Sequence, residues 1–78
     1  MLDSISTNIL RLFSEFGQEA LDLHTLFEAG GNDPAKREAV LDAVARLVRQ
    51  ELLEERGNDF YALTEKGKRM AAGGGIRR

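Results

Sequence analysis

The feature that most limits how this 78-residue chain can fold is a hairpin signal near its C-terminal end. Two short runs, LLEE at 52–55 and FYAL at 60–63, are separated by RGND, which contains the glycine and asparagine that tight hairpin turns require. Alternation along the second run puts Tyr61 and Leu63 on one face and Phe60 and Ala62 on the other. The pattern therefore predicts a two-stranded hairpin, and the compact arrangement lays it against the helices that precede it.

The segment after the hairpin is typical of the end of a folded domain. Thr64 is placed to cap a final helical turn, and Glu65 favours that turn because a helix N-terminus carries partial positive charge. Gly67 allows the chain to close back on the domain. From Ala71 onward the sequence AAGGGIRR has no periodic pattern. Residues 1–70 are therefore predicted to form one domain, and residues 71–78 a flexible C-terminal tail.

An amphipathic stretch at the start of the chain predicts helix 1, from Ser4 to Phe16. Asp3 or Ser4 can cap its N-terminus, and Gly17 is placed where a left-handed residue ends a helix. Leu10 lies roughly 100° away from the apolar face. That face is predicted to consist of Ile5, Ile9, Leu12, Phe13 and Phe16.

Two short segments follow helix 1. The sequence EALD at 19–22 is expected to add only a single β-bridge to the hairpin. Asp22 can then cap a short helix 2, predicted from Leu23 to Ala29. The glycines of GGNDP, at 30–34, end that helix and form the clearest loop in the chain.

Helix 3 is predicted to be the longest, with Asp33 as its cap, Pro34 at its first position and an end at about Leu52. Its buried face is predicted to consist of Val40, Leu41, Val44, Leu47 and Val48. The opposite face carries Glu38, Asp42, Arg46 and Arg49.

Composition excludes several classes of function. The chain has no cysteine and only one histidine, His24, so the sequence predicts neither disulfides nor a metal site. A position for His24 on the helix surface or partly buried is favoured over a functional one. No serine has a base placed beside it by the sequence, and the glycine pairs lack the strand, helix and lysine of a phosphate-binding loop. We therefore predict no enzyme activity and no cofactor. No apolar run approaches the length of a membrane span, so a cytoplasmic protein is expected.

The run VARLVRQELLEERGNDFYALTEKGK, at 44–68, resembles helix 3 and the wing of winged helix-turn-helix domains, which occur in many bacterial regulators. The matching features are Leu47, ELLEE before the turn, and the Leu-Thr-x-x-Gly ending that closes the second wing strand onto the next helix. The resemblance implies a mainly α fold with a three-helix core and a two-stranded wing. Two positions depart from the family: AGGNDPA at 29–35 is longer than the usual turn, and Glu51 stands where relatives often have glycine, which predicts that helix 3 continues without a break.

The resemblance implies a DNA-binding transcriptional regulator, acting as a dimer, with helix 3 in the major groove of double-stranded DNA and the wing on the backbone. Lys36, Arg37 and Arg46 would contact bases or phosphates. The cations expected on the DNA backbone are Arg49, Arg56, Lys66, Lys68 and Arg69. The net charge of −2 and the carboxylates beside the turn, Glu54, Glu55 and Asp59, oppose this docking.

Two alternatives to DNA binding remain open. The charges of helix 3 are equally well explained as a solvated face with an Asp42–Arg46 pair. The domain is also consistent with a protein-interaction or dimerisation module that uses Leu10 and Phe60 as interface residues. Within the monomer, Phe60 would instead cover the end of helix 3, and Leu10 would pack beneath the C-terminal tail.

Overall fold

The sheet and helices observed in the computed structural model, which describes residues 3–17 and 19–71, form a mainly helical domain with a small antiparallel sheet. A 3-10 turn continues the second helix, and another precedes the third. The elements, in chain order, are α1 (Ser4–Phe16), β1 (Ala20–Asp22), α2 (Leu23–Leu26) with its 3-10 extension (Phe27–Gly30), a 3-10 turn (Pro34–Lys36), α3 (Arg37–Arg49), β2 (Leu53–Gly57), β3 (Phe60–Leu63) and α4 (Glu65–Arg69).

The sheet has three strands in the order β1-β3-β2, not two. The prediction that EALD adds only a single bridge is wrong, because β1 pairs with β3 at three consecutive positions. Leu21 is buried in the core opposite Tyr61, and the N–H of Leu23 donates to the Asp59 carbonyl at 2.8 Å, which extends the pairing. A leucine that reaches the core gives this short strand enough apolar contact to hold its place beside β3.

The hairpin prediction is confirmed, and its turn has the expected left-handed residues. Asn58 and Asp59 have φ angles of 52° and 64°, as both central residues of a type I′ turn require. Gly57, at φ 89°, pairs with Phe60 beside a bulge that lies between Glu55 and Gly57. These three residues reverse the chain with the twist that antiparallel strands favour.

The bounds of α1 are those that its periodicity predicts, but its buried face is different. The Asp3 carboxylate accepts a hydrogen bond from the Ser6 N–H at 2.8 Å, and Gly17 is left-handed at φ 63°. Phe16, predicted to be buried, is 43% exposed, whereas Leu10, predicted to lie off the apolar face, is only 2% exposed. α1 therefore buries side chains on a wider part of its circumference near its middle, and its C-terminal residue is exposed to solvent.

α3 is shorter than predicted at both ends. Residues 34–36 form a 3-10 turn, and the helix ends at Arg49 because the next residues form a left-handed termination. Glu51 takes φ 66°, the Leu52 N–H donates to the Leu47 carbonyl, and the Glu51 N–H donates to the Val48 carbonyl. These two bonds define a Schellman motif. The prediction that Glu51 continues the helix without a break is therefore wrong: it takes the conformation that glycine favours.

Because Glu51 carries a side chain in a left-handed conformation, we expect Glu51→Gly to stabilise the protein by about 0.5–1 kcal/mol. Chemical denaturation of the wild type and the variant measures the difference. Glu55→Gly is the matched control: it removes the same side chain from a strand position where glycine weakens the pairing, so it is expected to destabilise. If both variants lose stability equally, the left-handed backbone of Glu51 does not destabilise the wild type.

The buried face of α3 also differs from the prediction. Val40, Val44 and Leu47 are buried as expected, but Leu41 is 43% exposed and Ala43 is fully buried. The face that α3 buries therefore consists of Val40, Ala43, Val44 and Leu47, and Leu41 lies outside it. The core around α3 consists of Ile9, Leu12, Phe13, Leu21, Leu26, Ala29, Val40, Ala43, Val44, Leu47, Leu52 and Leu53.

α4 closes the domain as the sequence predicts. The Thr64 hydroxyl accepts from the Gly67 N–H at 2.9 Å and donates to the Glu51 carbonyl, so one side chain caps α4 and ties it to the end of α3. Ala71 is buried, so packing continues one residue past the predicted domain end at residue 70. The rest of the predicted tail, 72–78, lies outside the described residues. Within the described ranges, no helix has the length and apolar character needed to cross a bilayer.

Candidate nucleic-acid interface

A nine-residue stretch, 31–39, is exposed at every position. It consists of the loop after the 3-10 extension of α2, the turn at 34–36 and the first turn of α3. Asp33 caps this turn by accepting a hydrogen bond from the Ala35 N–H at 3.0 Å. The N-terminal end of α3 therefore projects from the domain, and it presents Lys36 and Arg37 to solvent.

Arg37 is held in place at this projecting end. Its guanidinium lies 5.2 Å from the centre of the Phe27 ring, a cation–π distance. The contact joins the start of α3 to the 3-10 extension of α2 and still leaves the guanidinium exposed. Lys36 precedes it and is also exposed. These two cations form the N-terminal basic pair.

Arg46 is already engaged within the chain. Its guanidinium lies 2.6 Å from the Asp3 carboxylate at the N-cap of α1. The Asp42–Arg46 pair considered from the sequence does not occur among the described ion pairs, because Arg46 turns toward α1 instead. A phosphate would have to compete with Asp3 for this side chain. Arg49, one turn later, is exposed at the end of α3.

The hairpin is acidic where a DNA-contacting wing needs positive charge. Arg56 donates to the Glu54 carboxylate at 2.8 Å, so the cation nearest the turn is neutralised by its own strand. Burial, followed by the charges of Glu55 and Asp59, raises the pKa of the Tyr61 phenol above its ordinary value. The carboxylates that face Tyr61 therefore make the hairpin locally negative, and this agrees with the objection drawn from the sequence.

Two of the three cations of α4, Lys66 and Lys68, interact with other groups of the chain, and Arg69 forms no ion pair with the residues that the structure describes. Lys66 Nζ donates to the Gln50 carbonyl at 3.2 Å, a favourable site for a cation because carbonyl groups are exposed at a helix C-terminus. Lys68 Nζ lies 4.0 Å from a Glu65 carboxylate oxygen. Arg69 is exposed and makes no ion pair within the described ranges.

The eight cations predicted to bind DNA are therefore distributed over four places. Lys36 and Arg37 lie together at the start of α3, Arg46 and Arg49 lie near its end, Arg56 lies on the hairpin, and Lys66, Lys68 and Arg69 lie on α4. The two non-local partners, Asp3 for Arg46 and the Gln50 carbonyl for Lys66, were missed by sequence reasoning. No local pattern could have found Asp3, since 43 positions separate it from Arg46.

The predicted interface residues Leu10 and Phe60 differ in accessibility. Leu10 is only 2% exposed, so the expectation that it offers an exposed interface is wrong: its side chain is already covered within the chain. Phe60 is 42% exposed at the start of β3 and remains available. His24 is exposed on α2, and the described residues contain no group of three acidic or histidine side chains arranged to hold a metal.

No family model, curated protein or solved structure matches this chain. Its function is therefore inferred from the positions and charges of its own residues.

Two capping carboxylates make stability depend on acid pH. Hydrogen bonds from the side chain and then the N–H of Ser6, followed by Arg46, lower the pKa of Asp3, and hydrogen bonds from Thr25 lower the pKa of Asp22. A carboxylate whose pKa is lower in the folded than in the unfolded chain stabilises the fold at pH values above its unfolded pKa of about 3.9. This stabilisation is lost as the pH falls through the folded-state pKa.

We therefore expect the free energy of unfolding to change little between pH 7 and 5 and to fall below about pH 4. Asp22→Asn keeps a capping oxygen but does not titrate, so its stability is expected to fall less steeply between about pH 4 and 2. Denaturant titrations across this range measure the slope. If the free energy of unfolding falls as steeply with decreasing pH in both Asp22→Asn and Asp3→Asn as in the wild type, these two carboxylates are not the cause of the acid sensitivity.

Proposed function

We propose that the protein is a small winged-helix DNA-binding protein, a transcriptional regulator that inserts the N-terminal end of α3 into the major groove. The order of helix, strand, helix, helix and hairpin supports the winged-helix assignment. The observation that carries the function is the uninterrupted exposure of 31–39, which leaves the start of α3 free to enter a groove about 12 Å wide.

In this proposal the N-terminal basic pair makes the principal contacts. Arg37, oriented by Phe27, can present two donors to a guanine edge or a phosphate, and Lys36 adds a point charge beside it. Arg49 and Arg69 are exposed cations that can meet the DNA backbone. Arg46 and Arg56 contribute only by exchanging their carboxylate partners for phosphate. A dimer would bring two such surfaces to adjacent half-sites.

A salt titration on duplex DNA tests the proposal. If about four cations neutralise phosphates, the slope of log K against log salt is expected to be about −3 to −4. Replacing both Lys36 and Arg37 by alanine is expected to weaken binding at low salt by about tenfold or more and to reduce the slope by about 2. Absence of binding at low salt, or a slope near zero, would refute DNA binding.

Two acidic residues on the same helix provide a control in which the expected change in DNA affinity is opposite. Glu38 and Asp42 are exposed on α3 and repel phosphates. Glu38→Gln combined with Asp42→Asn is therefore expected to strengthen binding, whereas the alanine pair weakens it. If both double variants weaken binding equally, the effect comes from damage to the helix and not from its charge.

A second function is favoured by the acidic hairpin and the exposed Phe60: a winged helix that holds a protein partner or its own copy. Glu54, Glu55 and Asp59 would repel a DNA backbone but are compatible with a protein surface. Sedimentation of the wild type and of Phe60→Ala tests self-association. A wild-type dimer lost in the variant supports an interface at Phe60, and a monomer in both excludes self-association.

A further inference from the structure

The exposed side of α3 carries acidic and basic side chains at opposite ends. Helix geometry places four exposed residues within about 60° of one another around the helix axis, opposite the buried face. They are Glu38, Asp42, Ala45 and Arg49. Leu41 borders this set and is 43% exposed. These five residues form the outer face of α3, which is negative in its first half, apolar near its middle and positive at its end.

The charges of the outer face have no suitable partner along their own helix. Side chains three and four positions apart are neighbours on a helix, and Glu38 has the like-charged Asp42 at this spacing. Arg49 has the like-charged Arg46 three positions before it, and Arg46 is held by Asp3. Neither acid of the outer face nor Arg49 forms an ion pair with a residue that the structure describes. Partners for these charges can therefore come from another molecule.

A second copy of the chain supplies these partners if its α3 lies antiparallel to the first. A two-fold axis that crosses the outer face between residues 43 and 44 places Glu38 level with Arg49 of the second copy, and symmetry forms this pair twice. In the same register, Leu41 lies within about one residue, or about 1.5 Å along the axis, of Ala45 of the second copy. The small side chain of Ala45 lets the two helices approach closely. The outer face is therefore complementary to itself in charge and in shape.

We propose that two copies of the chain associate through the outer faces of α3, packed antiparallel. Two Glu38–Arg49 ion pairs would flank contacts between Leu41 and Ala45. Because α3 has only 13 residues and is about 20 Å long, the interface is small, and we expect a weak dimer with a Kd between about 100 µM and 1 mM.

The inference rests on the second proposed function, in its self-association form, and assigns it a surface other than Phe60. The dimer covers the side of α3 that would follow its N-terminal end into a DNA groove. Self-association through this face and docking of α3 on DNA would therefore exclude each other. The arrangement also differs from the dimer that would bring two α3 ends to adjacent half-sites.

Charge reversal tests the antiparallel register. Glu38→Arg alone and Arg49→Glu alone each place like charges opposite one another twice, so each is expected to raise the dimer Kd by about tenfold or more. The two substitutions combined in one chain exchange the charges and restore both ion pairs, so the double variant is expected to dimerise like the wild type. Sedimentation velocity between about 10 µM and 1 mM measures each Kd.

Two further variants separate the outer face from net charge and locate its apolar part. Glu15→Arg and Arg69→Glu make the same changes in charge at exposed positions outside the outer face and should leave the Kd unchanged. Leu41→Ser removes the apolar contact from both copies and is expected to raise the Kd by about tenfold. In the wild type, the methyl NMR signals of Leu41 should shift as the protein concentration rises.

Three outcomes would overturn the inference. A wild-type monomer at about 1 mM would exclude self-association and would leave DNA binding by α3 untouched. A dimer that Phe60→Ala abolishes and Leu41→Ser retains would place the interface on the hairpin, so the second proposed function would stand without this inference. A double charge reversal that stays as weak as its two single variants would exclude the antiparallel register.

Discussion

Replacing Gly67 by alanine is expected to destabilise the protein by about 2–3 kcal/mol, because the added methyl group overlaps the backbone of Leu52, which lies between α3 and β2. A Cβ at this position would overlap the Leu52 carbonyl oxygen and would stand 3.1 Å from a Leu63 methyl carbon. A backbone carbonyl cannot turn aside as the tip of a flexible side chain can. The Leu52 oxygen also accepts the hydrogen bond from the Thr64 N–H, so moving it weakens the start of α4.

The sign of this prediction is informative because helix propensity alone predicts the reverse. Gly67 lies within α4, where alanine is favoured over glycine by roughly 1 kcal/mol. Lys68→Ala, at the exposed neighbouring position, is the control and is expected to change stability by less than about 0.5 kcal/mol. Thermal and denaturant unfolding measure both variants. A stabilised Gly67→Ala protein would show that α4 is free to move away from Leu52.

The second large effect is expected at Leu47, which is fully buried on α3. Leu47→Ala should cost about 3 kcal/mol, from lost burial and from the cavity left among well-packed neighbours. The backbone carbonyl of Leu47 also accepts the bond that ends the helix, but alanine retains that group. The loss should therefore come from the side chain alone and should appear as a lower denaturation midpoint with an unchanged m value.

Leu41 supplies the matched control, since the sequence predicts it on the same buried face. The structure leaves it 43% exposed, so Leu41→Ala is expected to cost less than about 0.5 kcal/mol. Both variants remove the same atoms from the same helix, and alanine is equally acceptable to the helix at either position. Similar losses at both positions would contradict the observed difference in burial between Leu41 and Leu47.

Local features were predictable from the sequence because their causes lie within a few residues. Asp3 and Asp22 cap α1 and α2 through side chains that reach only three residues ahead. The turn at Asn58 and Asp59 follows from residues that tolerate positive φ. The Thr64 cap is local in the same sense, since it binds Gly67.

The end of α3 was not predictable, because part of its cause lies outside the helix. Glu51 has no intrinsic preference for the left-handed conformation, and helix periodicity predicts that α3 continues to about Leu52. Two backbone hydrogen bonds, donated by the N–H groups of Glu51 and Leu52, and a third from the Thr64 hydroxyl to the Glu51 carbonyl stabilise the conformation instead. The packing of β2 and α4 against α3 therefore outweighs the preference of one side chain.

The candidate nucleic-acid interface was predictable as a set of residue types but not as an arrangement. The sequence contains the basic pair at 36–37 and the cations around α4, yet it cannot show that Arg46 reaches Asp3 or that Arg56 turns to Glu54. Which cations remain free for phosphate depends on where distant carboxylates lie. The DNA-binding proposal therefore depends more on Lys36 and Arg37 than sequence reasoning alone indicated.

The sequence by itself determined α1, the hairpin turn and the caps, because each depends on backbone preference and side chains that act over one turn. Only the tertiary structure decided that EALD becomes a third strand, that Leu41 is exposed while Leu10 is buried, and that Arg46 pairs with Asp3. These features depend on which surfaces meet when all elements pack together. Gly67 lets α4 approach Leu52 closely, so this contact depends both on the glycine in the sequence and on how the elements pack together.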